Sequence, residues 1–356
     1  MFVANDGFSA GHVTRALALA RALRERGGAR GVEVASLLAT TSEADALLAD
    51  TPVALVRLPA PLAARRAGLA DVERRRLVRA CLEAAARSFG PDLLVVDTFP
   101  SGPHGELAGG LEGHARRVLV RRHVPAERRG DEALAAGLDD CALAILAGDP
   151  TPLEPLAGVK CVHVAPIVGA LALASREEAR ARLGLPLAAR VVLVASGGGG
   201  DRDAAERAAR LARAARKHDP SLVVVVALGP LEPLEPLASE RAALPSGLVH
   251  LRCAPLGRWM AAFDGALAAA GYNTAHELAR AGVPAVLYAC PRPFDDQAAR
   301  ARRFAEQGLA FALEDDAALP SALAWLRASP GRALRADGAA QAADALLELA
   351  SGRGAA

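Results

Sequence analysis

The chain has 356 residues, of which 52% are hydrophobic and 23% charged, with a net charge of +2 at pH 7. That length suits two domains better than one core, and the near-neutral balance argues against a dedicated nucleic-acid binder. No stretch reaches the roughly 18 uninterrupted apolar residues of a membrane-spanning helix. Aromatics are only 3%, so the cores are expected to be Ala, Leu and Val. Cys81, Cys141, Cys161, Cys253 and Cys290 form no CxxC pair and no zinc spacing, and read as thiols of a reducing compartment. The N-terminus lacks a basic region followed by an apolar run, so no secretory leader is expected and the location reads as cytoplasmic.

In chain order, short apolar runs alternate with longer Ala/Leu/Arg segments. Strands are predicted near Phe2–Ala4, Val32–Leu38, Ala54–Leu58, Leu93–Val96, Val118–Val120, Ala142–Leu146 and Cys161–Val164. Helices are predicted over Val13–Arg26 and Asp71–Ser88. The pattern then restarts with strand Val191–Ala195, a glycine loop Gly197–Gly200, helix Asp203–His218 and strand Leu222–Leu228. Gly229–Leu237 is punctuated by proline and reads as a surface loop. Strands Val249–Arg252 and Ala266–Ala268 follow, then a helix from about Thr274, strand Ala285–Tyr288, helix Gln297–Gln307 and a terminal helix Ala339–Leu349.

Such alternation implies mainly parallel sheets covered on both faces. The expected fold class is α/β: two tandem Rossmann-like, doubly wound domains facing across a cleft. The expected division is 1–170 and 171–356, with the last helix packing back on the first domain. Ligands of such folds lie at the carboxyl ends of the strands, so candidate chemistry is sought in the loops there.

The first such loop runs from Gly7 to His12. Gly7 and Gly11 let backbone N–H groups approach an anion at a helix N-terminus. His12 opens that helix and could accept a proton or donate to a phosphate, or simply cap or pack. Asp97 ends the fourth strand, where it could orient His12, act as a base itself, or only shape a turn. The second glycine loop, Ser196, Gly197, Gly198, Gly199 and Gly200, permits close backbone approach to a ligand. Asp201-Arg202-Asp203 has the spacing of a metal-binding Asp-x-Asp pair, but it opens a helix and reads as a helix start, so no metal site is expected.

The third element joins Gly271, Asn273, Thr274 and Glu277. Asn273 or Thr274 is expected to cap the next helix, whose N-terminus could hold a diphosphate. Glu277 could hold ribose hydroxyls, or complete a Thr274-x-x-Glu277 capping box. The fourth element is Asp295, Asp296 and Gln297, which could bind sugar hydroxyls or cap a helix. The arginines at 65, 66, 74, 75, 76 and 79 make a basic region that reads as a solvated helix face, with peripheral membrane contact the competing reading.

Taken together, these elements resemble the GT-B glycosyltransferases whose C-terminal domain is that of the peptidoglycan N-acetylglucosaminyltransferase family. AAAGYNTAHELARAGVPAVLYACPRPFDDQAARARRFAEQGLA is similar to that family's donor-binding region, and GFSAGHVTRALALARALRERG to its N-terminal loop and helix. PDLLVVDTFPSGPHGEL and the GYNT variant resemble related predicted bacterial glycosyltransferases. Ser9-Ala10 stands where the family usually has Thr-Gly.

The resemblance implies a nucleotide-sugar co-substrate, UDP-linked by preference, and no other cofactor. The acceptor is left open: a small molecule, a glycan or a lipid-linked sugar. Glu277 would hold the ribose; Gly271, Asn273 and Thr274 the diphosphate, with Ser196, Gly197 and Gly198; Asp295, Asp296 and Gln297 the donor sugar. His12 would sit near the transferred group, with His12 or Asp97 as base. Hydrolases and 2-epimerases of nucleotide sugars share the fold, and a non-catalytic binder would share the donor site.

Overall fold

The computed structural model describes residues 1–5, 10–49, 51–111, 115–149, 152–169, 172–199, 201–231, 247–334 and 337–352. The chain divides into two compact units, Met1–Ala170 with Asp337–Ala356, and Leu171–Ala336.

The first unit is a seven-stranded sheet. Its strands are β1 Phe2–Ala4, β2 Leu37–Thr40, β3 Ala54–Arg57, β4 Leu93–Asp97, β5 Arg116–Arg121, β6 Cys141–Ala147 and β7 Cys161–Val164. They lie in the order β3-β2-β1-β4-β5-β6-β7, and every described pair is parallel. Parallel pairing needs crossovers, and helices lie in four of the six: α1 Gly11–Ala29, α2 Asp45–Leu48, α3 Pro61–Arg66, α4 Asp71–Phe89 and α5 Glu132–Ala135, while the β4–β5 and β6–β7 connections carry none among the described residues. The inner strands carry almost unbroken apolar runs because both sheet faces are covered. Val118, Leu119, Ala144, Ile145 and Leu146 are fully buried.

The second unit repeats the plan with six strands. Helix α6 Arg176–Leu183 leads into β8 Val191–Ala195, α7 Arg202–His218, β9 Val223–Leu228 and β10 Leu248–Arg252. Then come β11 Gly265–Ala269, α8 Tyr272–Ala281, β12 Ala285–Tyr288, α9 Gln297–Glu306, β13 Ala310–Leu313 and α10 Leu319–Ala328. The order is β10-β9-β8-β11-β12-β13, again parallel throughout the described pairs. The terminal helix α11 Gly338–Ala350 belongs to the first unit. It packs along α1, with Asp344 taking Arg26 at 2.6 Å and Arg30 at 2.7 Å.

Several boundaries differ from the sequence expectation. The second strand begins at Leu37, not Val32: α1 runs on to Ala29, the chain turns at Gly31, and Val32 is left 46% exposed. Helices α6 and α10 and strand β13 were not read from sequence. The two helices are Ala- and Arg-rich or start on Leu-Pro, so their periodicity is shallow, and β13 is only four residues long. Arg74 departs from the solvated face expected of the basic region: it is buried, while Arg75 and Arg76 are exposed. Among the described residues, no helix is long and apolar enough to cross a membrane.

Candidate functional site

In a doubly wound sheet, crossovers on either side of the first strand run in opposite directions. The loops leaving the two central strands therefore splay apart and open a crevice at the carboxyl ends. In the first unit that switch point lies between β1 and β4, and in the second between β8 and β11. His12 and Asp97 follow β1 and close β4; the Ser196–Gly199 turn and Gly271–Glu277 follow β8 and β11. Each unit thus places two of its candidate loops at its own switch point. A cavity of about 890 Å³ opens at the opposite end of the first sheet, between Arg87, Asp92, Arg117 and Asp140, and holds none of the candidate residues.

At the first switch point Asp97 is held from three sides. Arg15, one turn after His12 and only 2% exposed, donates Nε to Oδ2 at 2.7 Å and Nη2 to Oδ1 at 2.9 Å. Thr98 Oγ1 donates to Oδ1 at 2.7 Å, and His12 Nδ1 lies 3.0 Å from the same oxygen. Burial pushes the Asp97 carboxyl up, but the Arg15 guanidinium and His12 overcome it and hold the group well below the usual carboxylate range. Asp97 is therefore a fixed anion and a poor base. Arg15 Nη2 also lies 3.3 Å from His12 Nδ1. An arginine can only donate, so it competes with Asp97 for that nitrogen. The shorter contact to a carboxylate wins, which puts the proton on Nδ1 and makes Nε2 the nitrogen able to accept one.

The backbone beside Asp97 is bent to make this arrangement. Thr98 has φ 67°, and Phe99 N donates back to Asp97 O at 2.8 Å. A β-branched residue with positive φ is strained, and such strain collects at functional sites. Further along the loop, Glu106 is buried, accepting from Asn5 Nδ2 and, at 2.8 Å, from His104 N. Of the N-terminal loop glycines, Gly11 is the first residue of α1, while Gly7 lies outside the described residues.

At the second switch point, Gly197 has φ 104° and Gly199 φ 84°, conformations that exclude ordinary side chains and leave the Ser196–Gly199 turn open to a close ligand. Ser196 is buried; Gly200 lies outside the described residues. Gly198 O accepts from Leu231 N at 3.2 Å, and Gly229 lies so close that a Cβ there would be 2.3 Å from Gly198 C. We expect Gly229→Ala to cost about 2 kcal/mol and to distort the turn, read as a lowered urea midpoint together with weaker nucleotide binding. Asp201 caps α7 through Ala204 N at 3.2 Å, so the Asp201-Arg202-Asp203 spacing is a helix start.

The capping expectation for the next helix is corrected. The N-cap of α8 is Gly271, with no side-chain cap, and Asn273 and Thr274 lie inside its first turn. The backbone after Gly271 already has helical geometry, so Thr274 cannot act as a cap and there is no Thr274–Glu277 capping box. Glu277 instead reaches the turn at Gly257, where a Cβ would lie 3.0 Å from its carboxyl carbon. Burial raises its pKa to about 7, with Arg280 pulling only weakly the other way.

The fourth element is divided in its tasks. Asp296 caps α9, its Oδ1 accepting from Ala299 N at 2.9 Å. Gln297 is buried and braces the loop: Oε1 accepts from Cys290 N at 3.0 Å and Nε2 donates to Asp295 Oδ2 at 3.3 Å. Asp295 pairs with Arg300 at 2.8 Å. Sequence reasoning missed Arg300, which is fully buried, donates to Ala270 O at 2.8 Å and sits 5.5 Å from the Tyr272 ring centre. It ties the β11 exit to the β12 exit. The available signal was its position three residues after Gln297, on the buried stripe with Ala301 and Phe304. Arg292 was missed likewise; it pairs with Asp201 and so joins the fourth loop to the glycine turn.

No family model matches the chain, and no curated protein matches it either. Solved structures do. CalG4, the calicheamicin glycosyltransferase, is 20% identical with a TM-score of 0.64, covering 100% of this chain and 98% of its own. The spinosyn forosaminyltransferase SpnP is 18% identical with a TM-score of 0.60, covering 98% and 94%. The Streptomyces sp. SF2575 glycosyltransferase SsfS6, complexed with thymidine diphosphate, is 16% identical with a TM-score of 0.58, covering 99% and 95%. The fold is therefore that of the GT-B glycosyltransferases, two Rossmann-like domains in one chain.

Proposed function

We propose that the protein is a glycosyltransferase that moves a sugar from a nucleoside-diphosphate sugar to an acceptor hydroxyl, inverting the anomeric carbon. The observation that carries this reading is the pairing of chemistries at the two switch points. One holds an imidazole oriented by a buried carboxylate. The other sets a left-handed glycine turn beside a helix that starts without a side-chain cap and carries a half-buried carboxylate.

In this reading the donor belongs to the second unit. N–H groups of the Gly197–Gly199 turn and of Gly271, Asn273 and Thr274 take the diphosphate. Glu277 accepts from the ribose hydroxyls. Asp296 offers its second oxygen to the donor sugar, while Asp295 and Gln297 hold the loop in place. His12 Nε2 takes the acceptor proton as the acceptor oxygen attacks the anomeric carbon. The bond to the diphosphate breaks, and the leaving charge is stabilised by backbone dipoles rather than by a required metal ion.

A thermal-shift panel of UDP-, dTDP- and GDP-sugars tests donor binding. UDP is the first expectation, and dTDP stands beside it because SsfS6 was captured with thymidine diphosphate. At least one nucleotide should raise the melting temperature by several degrees, with turnover insensitive to EDTA. No shift with any of the three would remove the donor reading. Rapid stoichiometric breakdown of the donor without acceptor would favour a hydrolase, and binding without turnover a degenerate binder.

A further inference from the structure

We propose that Arg121 is an anion-binding residue beside the His12–Asp97 pair, so that the acceptor carries a phosphate or carboxylate close to its reacting hydroxyl. This rests on the glycosyltransferase reading for the word acceptor; the anion site itself does not.

Arg15, Arg74, Arg117, Arg180 and Arg300 are all buried, and each has a carboxylate: Asp97, Asp71, Asp140, Asp264 and Asp295. Arg122, 9% exposed, donates Nη1 to His123 O at 3.3 Å. Arg121 is as deeply placed, 6% exposed, but among the described residues its one hydrogen bond is Nη1 to Thr98 O at 3.0 Å, and no carboxylate pairs with it. A guanidinium has five donors in a fork suited to carboxylate or phosphate. Burying one without a counter-charge is costly, and proteins otherwise avoid it. Burial, with Arg122 next to it, pulls its pKa down to about 10, which still leaves it charged at neutral pH.

Its position makes it relevant to the reaction. Val120 pairs with Asp97 across β4 and β5, so Arg121 stands one residue further toward the carboxyl end, level with Thr98. Thr98 joins Arg121 to the pair: its carbonyl accepts from Arg121 and its hydroxyl donates to Asp97 at 2.7 Å. Asp97 is already neutralised by Arg15, so the charge on Arg121 is left for a ligand.

Two sources share this chemistry: an anionic group on the acceptor, or the donor diphosphate. Inorganic phosphate is the probe. It is titrated by NMR into wild-type protein, Arg121→Gln, Arg121→Lys and the exposed control Arg65→Gln, each with and without saturating UDP or dTDP. Gln keeps a donor for Thr98 O while removing the charge, so loss of binding without loss of fold reports the charge. We expect millimolar phosphate binding in the wild type that persists with nucleotide bound. Arg121→Gln should bind about tenfold more weakly, Arg121→Lys within about threefold, and the control unchanged. Phosphate should shift the Thr98 amide and the His12 ring in the wild type, which locates the site without any variant.

Equal binding by Arg121→Gln, absence of binding in the wild type, or shifts confined to the second unit would overturn the proposal. Phosphate binding abolished by the nucleotide would assign Arg121 to the donor diphosphate and overturn the acceptor claim. If neither nucleotide binds at all, the donor reading fails, while the phosphate titration still decides the anion site.

Discussion

Replacing Glu277 with Gln should make the ligand-free protein more stable above neutral pH and at the same time weaken nucleotide binding. The Glu277 carboxyl is raised from 4.5 to about 7 by burial. A group whose pKa is higher folded than unfolded favours folding below its unfolded value, and that advantage is lost as pH rises through the folded one. The window is therefore about pH 4.5 to 7, and above it the ionised Glu277 carries its full penalty. The shift corresponds to about 3 kcal/mol, reduced to roughly 2 by solvent screening of the exposed part of the side chain. Gln has the same shape without the charge. At pH 8, Glu277→Gln should gain about 2 kcal/mol, a rise of about 4–8 °C in melting temperature, shrinking to a small fraction by pH 5.

The cost falls on binding. An ionised carboxylate accepting from ribose hydroxyls is worth about 1.5–3 kcal/mol, so nucleotide affinity should drop about ten- to a hundredfold. Calorimetry with the nucleotide and thermal melts across pH 5 to 8 read both effects. A variant that is less stable at pH 8 and binds normally would make Glu277 a structural residue. A residue that destabilises the empty fold yet strengthens the complex is what a binding role requires, since selection for a ligand contact tolerates such a loss.

The second large effect separates the two members of the pair in the first unit. His12→Gln should slow turnover about 10²–10⁴-fold, the usual worth of a positioned base, with stability and nucleotide affinity nearly unchanged. Asp97→Asn should do more. It removes the anion that fixes the His12 proton on Nδ1, so Nε2 no longer accepts, and turnover falls by about 10³–10⁴. It also strands the Arg15 guanidinium, which is only 2% exposed, at a cost of about 3–5 kcal/mol. Denaturant melts and donor turnover measured side by side give the contrast. Equal destabilisation by the two variants, or an active Asp97→Asn, would return the pair to a packing role.

Asp97 also sets a pH expectation. Its carboxyl is held well below the ordinary range by Arg15 and His12 despite burial. The stabilisation is present above the unfolded value of about 3.8 and is lost only as pH falls through the much lower folded value. This pair should thus survive mild acid intact.

Much of this was legible in the order of residues. Strands Cys161–Val164, Val191–Ala195 and Ala285–Tyr288 coincide with predicted runs; the last two are buried along their whole length, and buried parallel strands are short and apolar. The glycine turn after Val191–Ala195 and the histidine opening the first helix were visible for the same local reason. Arg300 and Arg292 were not, and Arg121-Arg122-His123 reads from sequence only as a strand end that could face a cleft but is more simply a solvated basic end, since an arginine looks alike in sequence whether it is solvated or buried. The chain contains many arginines, and composition cannot sort them.

The sequence by itself determined the alternation of strands and helices, the restart near Val191 and the loops where chemistry would lie, because periodicity and turn residues act over a few positions. The tertiary structure alone decided which residues meet. Asp97 could have been base, orienter or turn; the approach of Arg15 at 2.7 Å makes it a fixed anion. Glu277 could have been half of a capping box; the helix start at Gly271 removes that role. Arg121 could have been a solvated strand end; it is instead 6% exposed and donates to Thr98 O at 3.0 Å. For Asp97 and Arg121 the outcome depends on distances between residues far apart in the chain and on how much water reaches them, and for Glu277 on the backbone geometry at the helix start.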